Sequence, residues 1–565
     1  MASPLDLRVD AAIGGITGPH GPLIAGPADG GGTIVPGAAI VPGAPGTLAA
    51  FLDHFCGLHG DKPALVAGDE RLSFAELADW SDRLARAFAG GWGVRKGDRI
   101  AIAMRNCPAW IAVYMGAVKA GAIATLVNGW WQADELACGI AMVAPVLIVA
   151  DAERGRRIAA AEITGRVVVL PIEGMLADAL APLLDGVAEG VRPALAPEDD
   201  ATILFTSGST GRSRGAVSDH RAVVTAVYTF LAYTASLLKL MVDDGRPPEN
   251  PPATLIAVPL FHVTGAVPVL LNSIAIGRKM VLMRKWDAGE ALRLIAAERV
   301  TYFVGVPTMS LEMMQHPDRD RHDTSSLLDI AAGGAARPVA HVQRLIDSFP
   351  GGTPMLGYGL TETNAVGCTN FRANYVAKPA STGRPQTPFV DVAIFDEAGV
   401  AVPPGETGEI GIRSRANFRG YWQDPAATAA AHHGEYFRTG DIGYLDPDGY
   451  VFIVDRAKDI IIRGGENISC QEVEAAIYAH PAVAEACVFG LPDDRLGEVP
   501  GAVVHLADPG AVSADLLSAF LTGRLAAFKL PVRLWISADP LPKLGTGKID
   551  KKQLRVAYRA MLDTV

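Results

Sequence analysis

The chain has 565 residues, of which 49% are hydrophobic and 20% are charged, and its formal net charge is −11 at pH 7. A chain of this length exceeds what one hydrophobic core holds, so we expect about two to four domains and a globular, ordered protein. The acidic balance disfavours general binding to nucleic acids or anionic membranes, although it leaves room for a local basic site that binds an anionic ligand.

The cysteine pattern and the N-terminus indicate a cytoplasmic protein. The sequence has six cysteines and no C-x-x-C pair, so we expect reduced structural residues and neither a disulfide framework nor a zinc site. Acidic residues stand where a signal peptide needs a basic region. The uncharged stretch 254–277 is interrupted by Pro259 and Pro268, so we interpret it as a buried strand, a loop and a core helix, and we expect no transmembrane segment.

The order of segments predicts a large α/β domain between two other regions. Residues 1–46 are rich in Gly, Pro and Ala and are predicted to be an irregular extension. Residues 47–457 alternate short apolar runs with helical patterns, which is typical of doubly wound α/β architecture, and turn-punctuated strands beyond residue 383 predict a barrel-like β subdomain. Residues 458–565 are predicted to be a small α+β domain, with the boundary at Ala457/Lys458.

The stretch 202–215 is the strongest single signal. An apolar run, 203–205, predicts a buried strand, and it is followed by a loop rich in Gly, Ser and Thr. Glycines allow close backbone approach, hydroxyls donate hydrogen bonds and arginines supply charge, so the loop is predicted to hold phosphates. A Walker loop would have Gly and Lys where this chain has Ser213 and Arg214. The alternative is a solvent-exposed turn.

Five further motifs follow in order. They are Pro259-Leu-Phe-His-Val-Thr-Gly265, Ala332-Gly-Gly-Ala335, Tyr358-Gly-Leu-Thr-Glu-Thr363, Tyr436-Phe-Arg-Thr-Gly-Asp441 leading to Asp455-Arg456, and Leu544-Gly-Thr-Gly-Lys-Ile549. Together with the Gly-rich loop they make the chain resemble the adenylate-forming superfamily, from about residue 47 to 557. Within that superfamily it is most similar to acyl-CoA synthetases, which are AMP-dependent acid–CoA ligases that use ATP, Mg²⁺ and coenzyme A.

The resemblance implies a role for each matched residue in the first half-reaction. Lys548 bridges the carboxylate and the α-phosphate, Glu362 binds Mg²⁺ with Thr206, and Asp441 holds the ribose hydroxyls beside Arg456. The remaining residues expected around the nucleotide are Ser207, Gly208, Ser209, Thr210, Gly211, Arg214, Gly333, Gly334, Ala335, Tyr358, Gly359 and Thr361. Each motif alone also has a plainer reading: a surface turn at Lys548, a turn-forming carboxylate at Asp441, and a tight strand-to-helix turn at 333–335.

For the second half-reaction, the resemblance implies rotation of the small domain about Lys458. Gly464 and Gly465 would then line the tunnel of the CoA thiol, and His262 guards the route to the acyl site. The alternative for His262 is a buried core histidine. Arg214 replaces the lysine that is usual in the loop, which keeps the charge but changes the hydrogen-bond geometry.

The sequence predicts the class of the acid substrate less closely than it predicts the reaction. The inferred acyl wall is uncharged, and a glycine at position 359, where acetate-type synthetases carry Trp, is expected to leave room for a medium- or long-chain fatty acid or another hydrophobic acid. The wall residues are His262, Val263, Val304, Gly357, Gly359, Asn364 and Ala365. Expected partners are the acid and CoA, with no nucleic acid and with a homodimer left open.

Several rival functions remain open at this stage. The nearest are an aryl-CoA ligase for benzoate- or cinnamate-like acids and an acyl-AMP ligase that loads a carrier protein. A luciferase-like oxygenase and a nucleotide sensor without turnover belong to other classes, and the intact set of Lys548, Glu362 and Asp441 disfavours the sensor.

Overall fold

The computed structural model describes residues 3–18, 21–23, 26–27, 36–206, 213–334, 337–457, 459–464, 466–493, 495–544 and 547–561. Among these residues the strands form two large mixed sheets, two smaller sheets and a short ribbon. The ribbon pairs β1 (Gly26–Pro27) with β2 (Ala39–Ile40).

The first large sheet has seven strands in the order β20-β10-β9-β6-β5-β7-β8. Strands β5 to β9 run parallel, while β10 is antiparallel to both β9 and β20. The strands are β5 (Arg99–Ala103), β6 (Ile123–Leu126), β7 (Leu147–Asp151), β8 (Val167–Leu170), β9 (Asp200–Thr206), β10 (Arg214–Asp219) and β20 (Gly420–Tyr421).

The second large sheet has nine strands in the order β17-β16-β15-β14-β13-β11-β12-β3-β4, with a parallel centre and antiparallel edges. The strands are β3 (Pro63–Ala67), β4 (Glu70–Ser73), β11 (Ala253–Ile256), β12 (Lys279–Leu282), β13 (Tyr302–Gly305), β14 (Asp329–Gly333), β15 (Thr353–Gly359), β16 (Gly367–Phe371) and β17 (Arg384–Pro385). Parallel strands buried by helices explain the continuous apolar runs of the sequence.

Helices connect and cover the two sheets. They are α1 (Pro4–Thr17), α2 (Leu48–His59), α3 (Phe74–Ala89), α4 (Pro108–Lys119), α5 (Ala133–Val143), α6 (Ala152–Ala160), α7 (Leu176–Leu184), α8 (His220–Asp243), α9 (Asn272–Ile276), α10 (Ala288–Glu298), α11 (Pro307–Gln315), α12 (Val339–Ser348), α13 (Arg372–Ala377) and α14 (Pro425–Ala430). A π-helix (Gly265–Leu271) precedes α9, and 3₁₀ turns occur at Arg319–Arg321 and Thr361–Thr363. A capping box of Ser73 and Glu76 begins α3, and Pro108 begins α4 at a position that needs no N–H.

The smaller sheets lie at the C-terminal end of the chain. One contains β18 (Val390–Phe395), β19 (Gly408–Ser414), β21 (His432–His433), β22 (Tyr436–Leu445) and β23 (Val451–Arg456). The other contains β24 (Ile461–Arg463), β25 (Glu466–Ile468), β26 (Val483–Asp493), β27 (Gly497–Leu506) and β28 (Arg533–Ser537), with helices α15 (Cys470–Tyr478), α16 (Ala514–Leu521) and α17 (Lys551–Ala560) and a 3₁₀ turn at Ala527–Lys529. The expected α/β class, with a large N-terminal and a smaller C-terminal domain, is confirmed.

The N-terminal extension differs from its prediction. Instead of being irregular throughout residues 1–46, the chain forms α1, whose apolar face packs beside α8. Asp6 on this helix is buried and accepts hydrogen bonds from the Tyr450 hydroxyl at 2.8 Å and the Asn374 amide at 2.7 Å. The first helix therefore belongs to the folded body.

The uncharged stretch 254–277 forms most of β11, a loop, the π-helix and α9, as predicted. Within the described part of the chain, the one helix long and apolar enough to cross a membrane is α8, and most of its apolar window is buried inside the protein.

Candidate active site

Lys548 of the C-terminal domain lies against Gly334 of the N-terminal domain. A β-carbon built on Gly334 would stand 3.1 Å from Cε and 3.3 Å from Nζ of Lys548, and the backbone φ of Gly334 is +75°. The absence of a side chain at this position thus admits the lysine. On the lysine's own side, Gly547 approaches Val306 so closely that a β-carbon there would stand 2.9 Å from a Val306 methyl.

Asp441 and Arg456 form an ion pair beside this lysine. They are partners on β22 and β23, with Nε of Arg456 2.6 Å from Oδ1 of Asp441, and the Tyr358 hydroxyl donates to Oδ2 at 2.6 Å. Burial raises the pKa of Asp441, and the Arg456 guanidinium opposes the rise. Burial and the charge of Arg456 lower the pKa of Lys548 to about 8, with Asp441 opposing the shift.

Three of the residues predicted for the site lie where parallel strands end. The carboxyl ends of β13, β14 and β15 carry Val304, Gly333 and Tyr358, and Gly333 is the register partner of Gly357 on β15. Open α/β sheets bind their ligands at this edge. The structure therefore brings together the predicted nucleotide residues 333, 334, 358, 441, 456 and 548.

Glu362 lies on the 3₁₀ turn that follows β15, with Thr361 at its first position. Its carboxylate is buried and accepts a hydrogen bond from the Tyr421 hydroxyl at 2.8 Å. Burial raises the pKa of Glu362, while Tyr421, Arg456 and Arg214 lower it. Tyr421 did not emerge from the sequence, because it lies outside the matched motifs and its contact with Glu362 depends on the fold.

The predicted phosphate loop lies between two antiparallel strands. Thr206 ends β9, Arg214 begins β10, and the two residues are direct register partners. The guanidinium carbon of Arg214 lies 5.2 Å from the centre of the Tyr421 ring. The predicted loop residues Ser207, Gly208, Ser209, Thr210 and Gly211 lie outside the described residues.

The oxygen donors fit a magnesium ion that is shared with phosphates. Mg²⁺ usually takes one or two carboxylates and completes its shell with water and substrate phosphates. Glu362 offers a carboxylate with one oxygen held by Tyr421, and β9, which ends at Thr206, lies against the turn that carries Glu362. Within the described residues there is no group of three or more His, Cys, Asp and Glu side chains that could bind a metal without a substrate.

His262 is half-buried in the loop between β11 and the π-helix. Its Nδ1 accepts a hydrogen bond from the Thr264 N–H at 3.4 Å, which leaves the proton on Nε2. Burial and the charge of Lys548 lower the pKa of His262 to about 3. Val263 and Val304 are both buried in the main hydrophobic core.

One position of the predicted acyl wall, Gly359, differs from expectation. A β-carbon on Gly359 would stand 2.3 Å from the carbonyl oxygen of Ala365, so backbone fills the space that was expected to be open. A β-carbon on Gly357 would meet nothing within 4 Å, and the open space lies there instead. The Asn364 amide donates to Ser218 Oγ at 2.9 Å and the Ala416 carbonyl at 2.8 Å, which fixes a backbone with φ of +49°.

Hydrogen bonds tie the segment between the two domains to the C-terminal domain. Strand β23 belongs to an N-terminal sheet and β24 to the C-terminal sheet, so the chain passes between domains after Arg456. Asp455 caps α15 by accepting hydrogen bonds from the N–H groups of Cys470 and Gln471, and Ser469 donates to the Val454 carbonyl at 2.6 Å. Lys458, Gly465 and Ala335 lie outside the described residues.

Gly464 lies on the exposed turn between β24 and β25, where its N–H donates to the Leu496 carbonyl at 2.7 Å. A second contact between domains joins Nζ of Lys543 to a carboxylate oxygen of Glu312 at 3.3 Å. This conformation thus places Lys548, and not the Gly464 turn, in the cleft.

Comparisons with known proteins agree with this geometry. Residues 52–422 match the family described as AMP-binding enzyme, and residues 472–548 match the AMP-binding enzyme C-terminal domain. A feruloyl-CoA synthase from an Amycolatopsis species is 35% identical over 492 residues, which cover 87% of this chain and 95% of that protein. A long-chain-fatty-acid–CoA ligase from Bacillus subtilis is 32% identical over 541 residues, which cover 90% of this chain and 94% of that protein.

Among solved structures, the anthranilate CoA ligase AuaEII in complex with anthranoyl-AMP has a TM-score of 0.82 and 25% identity, covering 92% of this chain and 98% of that one. Both domains, their order and the residues around Lys548 lead to one conclusion. The chain belongs to the AMP-binding enzyme family of adenylate-forming proteins, and it is an AMP-forming acid–CoA ligase that uses ATP and CoA.

Proposed function

We propose that this enzyme activates a medium- or long-chain fatty acid, or another hydrophobic carboxylic acid, and transfers its acyl group to CoA. The observation that carries the proposal is the position of Lys548, an ammonium from the C-terminal domain held against Gly334 and beside Asp441 and Arg456. No role in folding requires a lysine to be desolvated at this edge of the sheet.

In the first step, an oxygen of the substrate carboxylate bonds to the α-phosphorus of ATP, and the bond to pyrophosphate breaks with its electron pair leaving on pyrophosphate. Two anions must meet, and a pair of like unit charges at 4 Å costs about 4 kcal/mol at an effective dielectric constant of 20. Lys548 offsets this repulsion between the carboxylate and the α-phosphate. The loop 206–214 holds the outer phosphates. Glu362 and Thr206 would hold Mg²⁺, and the ion would supply positive charge to those phosphates.

The nucleotide is held by groups that the fold brings to one edge. Asp441 accepts hydrogen bonds from the ribose hydroxyls, and the Arg456 guanidinium opposes the rise in the pKa of Asp441 that burial causes. The segment 333–335 approaches the adenine closely, and the ring of Tyr358 stacks on it. The bond from the Tyr358 hydroxyl to Asp441 orients the ring for this contact.

In the second step, the CoA thiol, which has lost its proton to solvent, bonds through its sulfur to the acyl carbon, and AMP leaves with the electrons of the broken C–O bond. We propose that the C-terminal domain first rotates about Lys458, which withdraws Lys548 and brings Gly464 and Gly465 to the thiol tunnel beside His262. Lys458→Pro should spare pyrophosphate exchange but block thioester formation. Equal loss of both reactions would contradict a hinge at this residue.

The substrate class rests on the uncharged lining. Val263 and Val304 are apolar, His262 is neutral, and the open side of Gly357 leaves space that a chain of methylenes can fill. Burial of apolar surface favours such an acid by about 0.8 kcal/mol per methylene. A dicarboxylate would instead bring a second charge into this lining without a partner.

An aromatic acid is the second candidate, because the relative at 35% identity is named a feruloyl-CoA synthase. The test is release of AMP with ATP, CoA and a panel running from hexanoate to palmitate beside benzoate, cinnamate and ferulate, with Lys548→Ala as the blank. We expect kcat/KM to rise with chain length, and Gly357→Leu to suppress the longest acids most. Highest kcat/KM with the ring acids would transfer the assignment to an aryl-CoA ligase.

The cytoplasmic location stays a prediction from the sequence, which leaves a homodimer open.

A further inference from the structure

Tyr421 is a residue without an assigned role that contacts both halves of the phosphate site. Its hydroxyl donates to Oε1 of Glu362 at 2.8 Å, and the guanidinium carbon of Arg214 lies 5.2 Å from the centre of its ring. Glu362 follows β15 of the nine-stranded sheet, while Arg214 begins β10 of the seven-stranded sheet. One side chain thus bridges the carboxylate of one sheet and the cation of the other.

The backbone around Tyr421 makes this bridge rigid. Tyr421 is the register partner of Ala216 on β10, and the Trp422 N–H donates to the Gly215 carbonyl at 2.7 Å. Three residues earlier, the Phe418 N–H donates to the carbonyl of Glu362 at 2.7 Å. Glu362 is therefore held through both its main chain and its side chain by the segment 418–422, which is also fixed to the strand that follows the phosphate loop.

We propose that Tyr421 is a positioning residue for the divalent cation and the outer phosphates of ATP. Its hydroxyl holds Oε1 of Glu362, so that Oε2 is presented to the cation in one orientation, while its ring keeps Arg214 at a fixed distance from that carboxylate. This inference rests on the proposed role of Glu362 in binding Mg²⁺. It extends that role to a residue that contacts neither the cation nor the reacting atoms.

The test measures binding and not turnover. Calorimetric titrations of ATP into the full-length enzyme, with EDTA and then with saturating Mg²⁺, give the factor by which Mg²⁺ tightens ATP binding. Loss of a hydrogen bond to a charged group is enough to change a binding constant about tenfold. We therefore expect Tyr421→Phe to reduce the tightening of ATP binding by Mg²⁺ about tenfold. The affinity for ATP in EDTA should stay unchanged, because phenylalanine keeps the ring under Arg214.

Tyr436→Phe is the matched control, since Tyr436 also donates its hydroxyl to a carboxylate, that of Asp391. It should keep the full effect of Mg²⁺. A normal Mg²⁺ effect in Tyr421→Phe would overturn the inference, as would an equal reduction in the control.

Glu362→Gln separates this inference from the proposed function. We expect the double variant with Tyr421→Phe to lose no more than Glu362→Gln alone, because the hydroxyl acts through that carboxylate. An additional loss would show that Tyr421 acts independently and would refute the inference. A normal Mg²⁺ effect in Glu362→Gln itself would instead refute the proposed metal role, and neither result depends on which acid the enzyme uses.

Discussion

Replacement of Gly334 by alanine tests the placement of Lys548 without touching the lysine. The added β-carbon would stand 3.1 Å from Cε and 3.3 Å from Nζ of Lys548, closer than ordinary van der Waals contact. The backbone φ of +75° also penalises any residue with a β-carbon. Both effects disfavour the observed contact between residue 334 and Lys548.

The expected loss follows from these distances. The ammonium must retreat by a few tenths of an ångström to restore contact at about 3.5 Å or more, and a misplacement of about 1 Å can cost roughly 100-fold in rate. We therefore expect adenylation to fall about 10- to 100-fold in Gly334→Ala. Lys548→Ala, which removes the contact entirely, should cost at least about 100-fold.

The assay separates the two half-reactions. Pyrophosphate exchange follows adenylation, and conversion of supplied acyl-AMP to acyl-CoA follows the thiol step, which we expect Gly334→Ala to spare. Gly186→Ala is the matched control, since its backbone φ is +69° but its β-carbon would meet nothing within 4 Å. The reasoning is refuted if Gly334→Ala exchanges pyrophosphate normally, or if both alanine variants lose the same amount.

Three other predictions follow from single contacts. Because the pKa of Lys548 is lowered to about 8, the ammonium loses its proton as pH rises, and kcat/KM of adenylation should fall above about pH 8. The residual activity of Lys548→Arg should not show this fall at high pH. Asp6→Ala leaves the Tyr450 hydroxyl without its buried acceptor, which should lower the free energy of unfolding by about 1–3 kcal/mol in urea titrations; an unchanged midpoint would contradict a structural role for α1. Glu312→Gln removes the ion pair with Lys543, and exposed ion pairs contribute about 0.2–1 kcal/mol. This variant should therefore slow pyrophosphate exchange no more than about fivefold at low salt and not at all in high salt.

The sequence predicted those features that are local or carried by a fixed motif. The predicted strand 203–205 lies within β9, and the stretch 254–277 contains a strand, a loop and a helix as expected, because apolar runs and prolines determine them locally. The grouping of Lys548, Asp441 and Arg456 was also expected. This prediction came from the order of the motifs, because helical or strand periodicity does not show which residues of two domains share a cleft.

Helix α1 was missed although its sequence contained the signal. Ser3 and Asp6 form a capping box, and Val9, Ala12, Ile13 and Ile16 lie on one buried face at helical spacing. The glycines that follow in the chain, and the Pro- and Gly-rich composition up to residue 46, favoured an irregular interpretation. Burial against α8 outweighs the low helix propensity of Gly14 and Gly15.

Other features could not be derived from one sequence, because they depend on which backbone lies opposite a residue. Glycine at 359 indicated space, yet the Ala365 carbonyl occupies it, and only the strand pairing of Gly359 with Gly367 reveals this. The contact of Tyr421 with Glu362 spans 59 positions. Residue type cannot predict such contacts, whereas the fold determines them.

The cap on α15 has a consequence for the proposed rotation of the small domain. The residues joined by these three hydrogen bonds, Val454 and Asp455 with residues 469–471, lie on opposite sides of Lys458 in the chain. The bonds therefore favour the domain arrangement in which Lys548 lies against Gly334. A rotation of the small domain about Lys458, as proposed, would carry the cost of these few polar contacts beside the pivot.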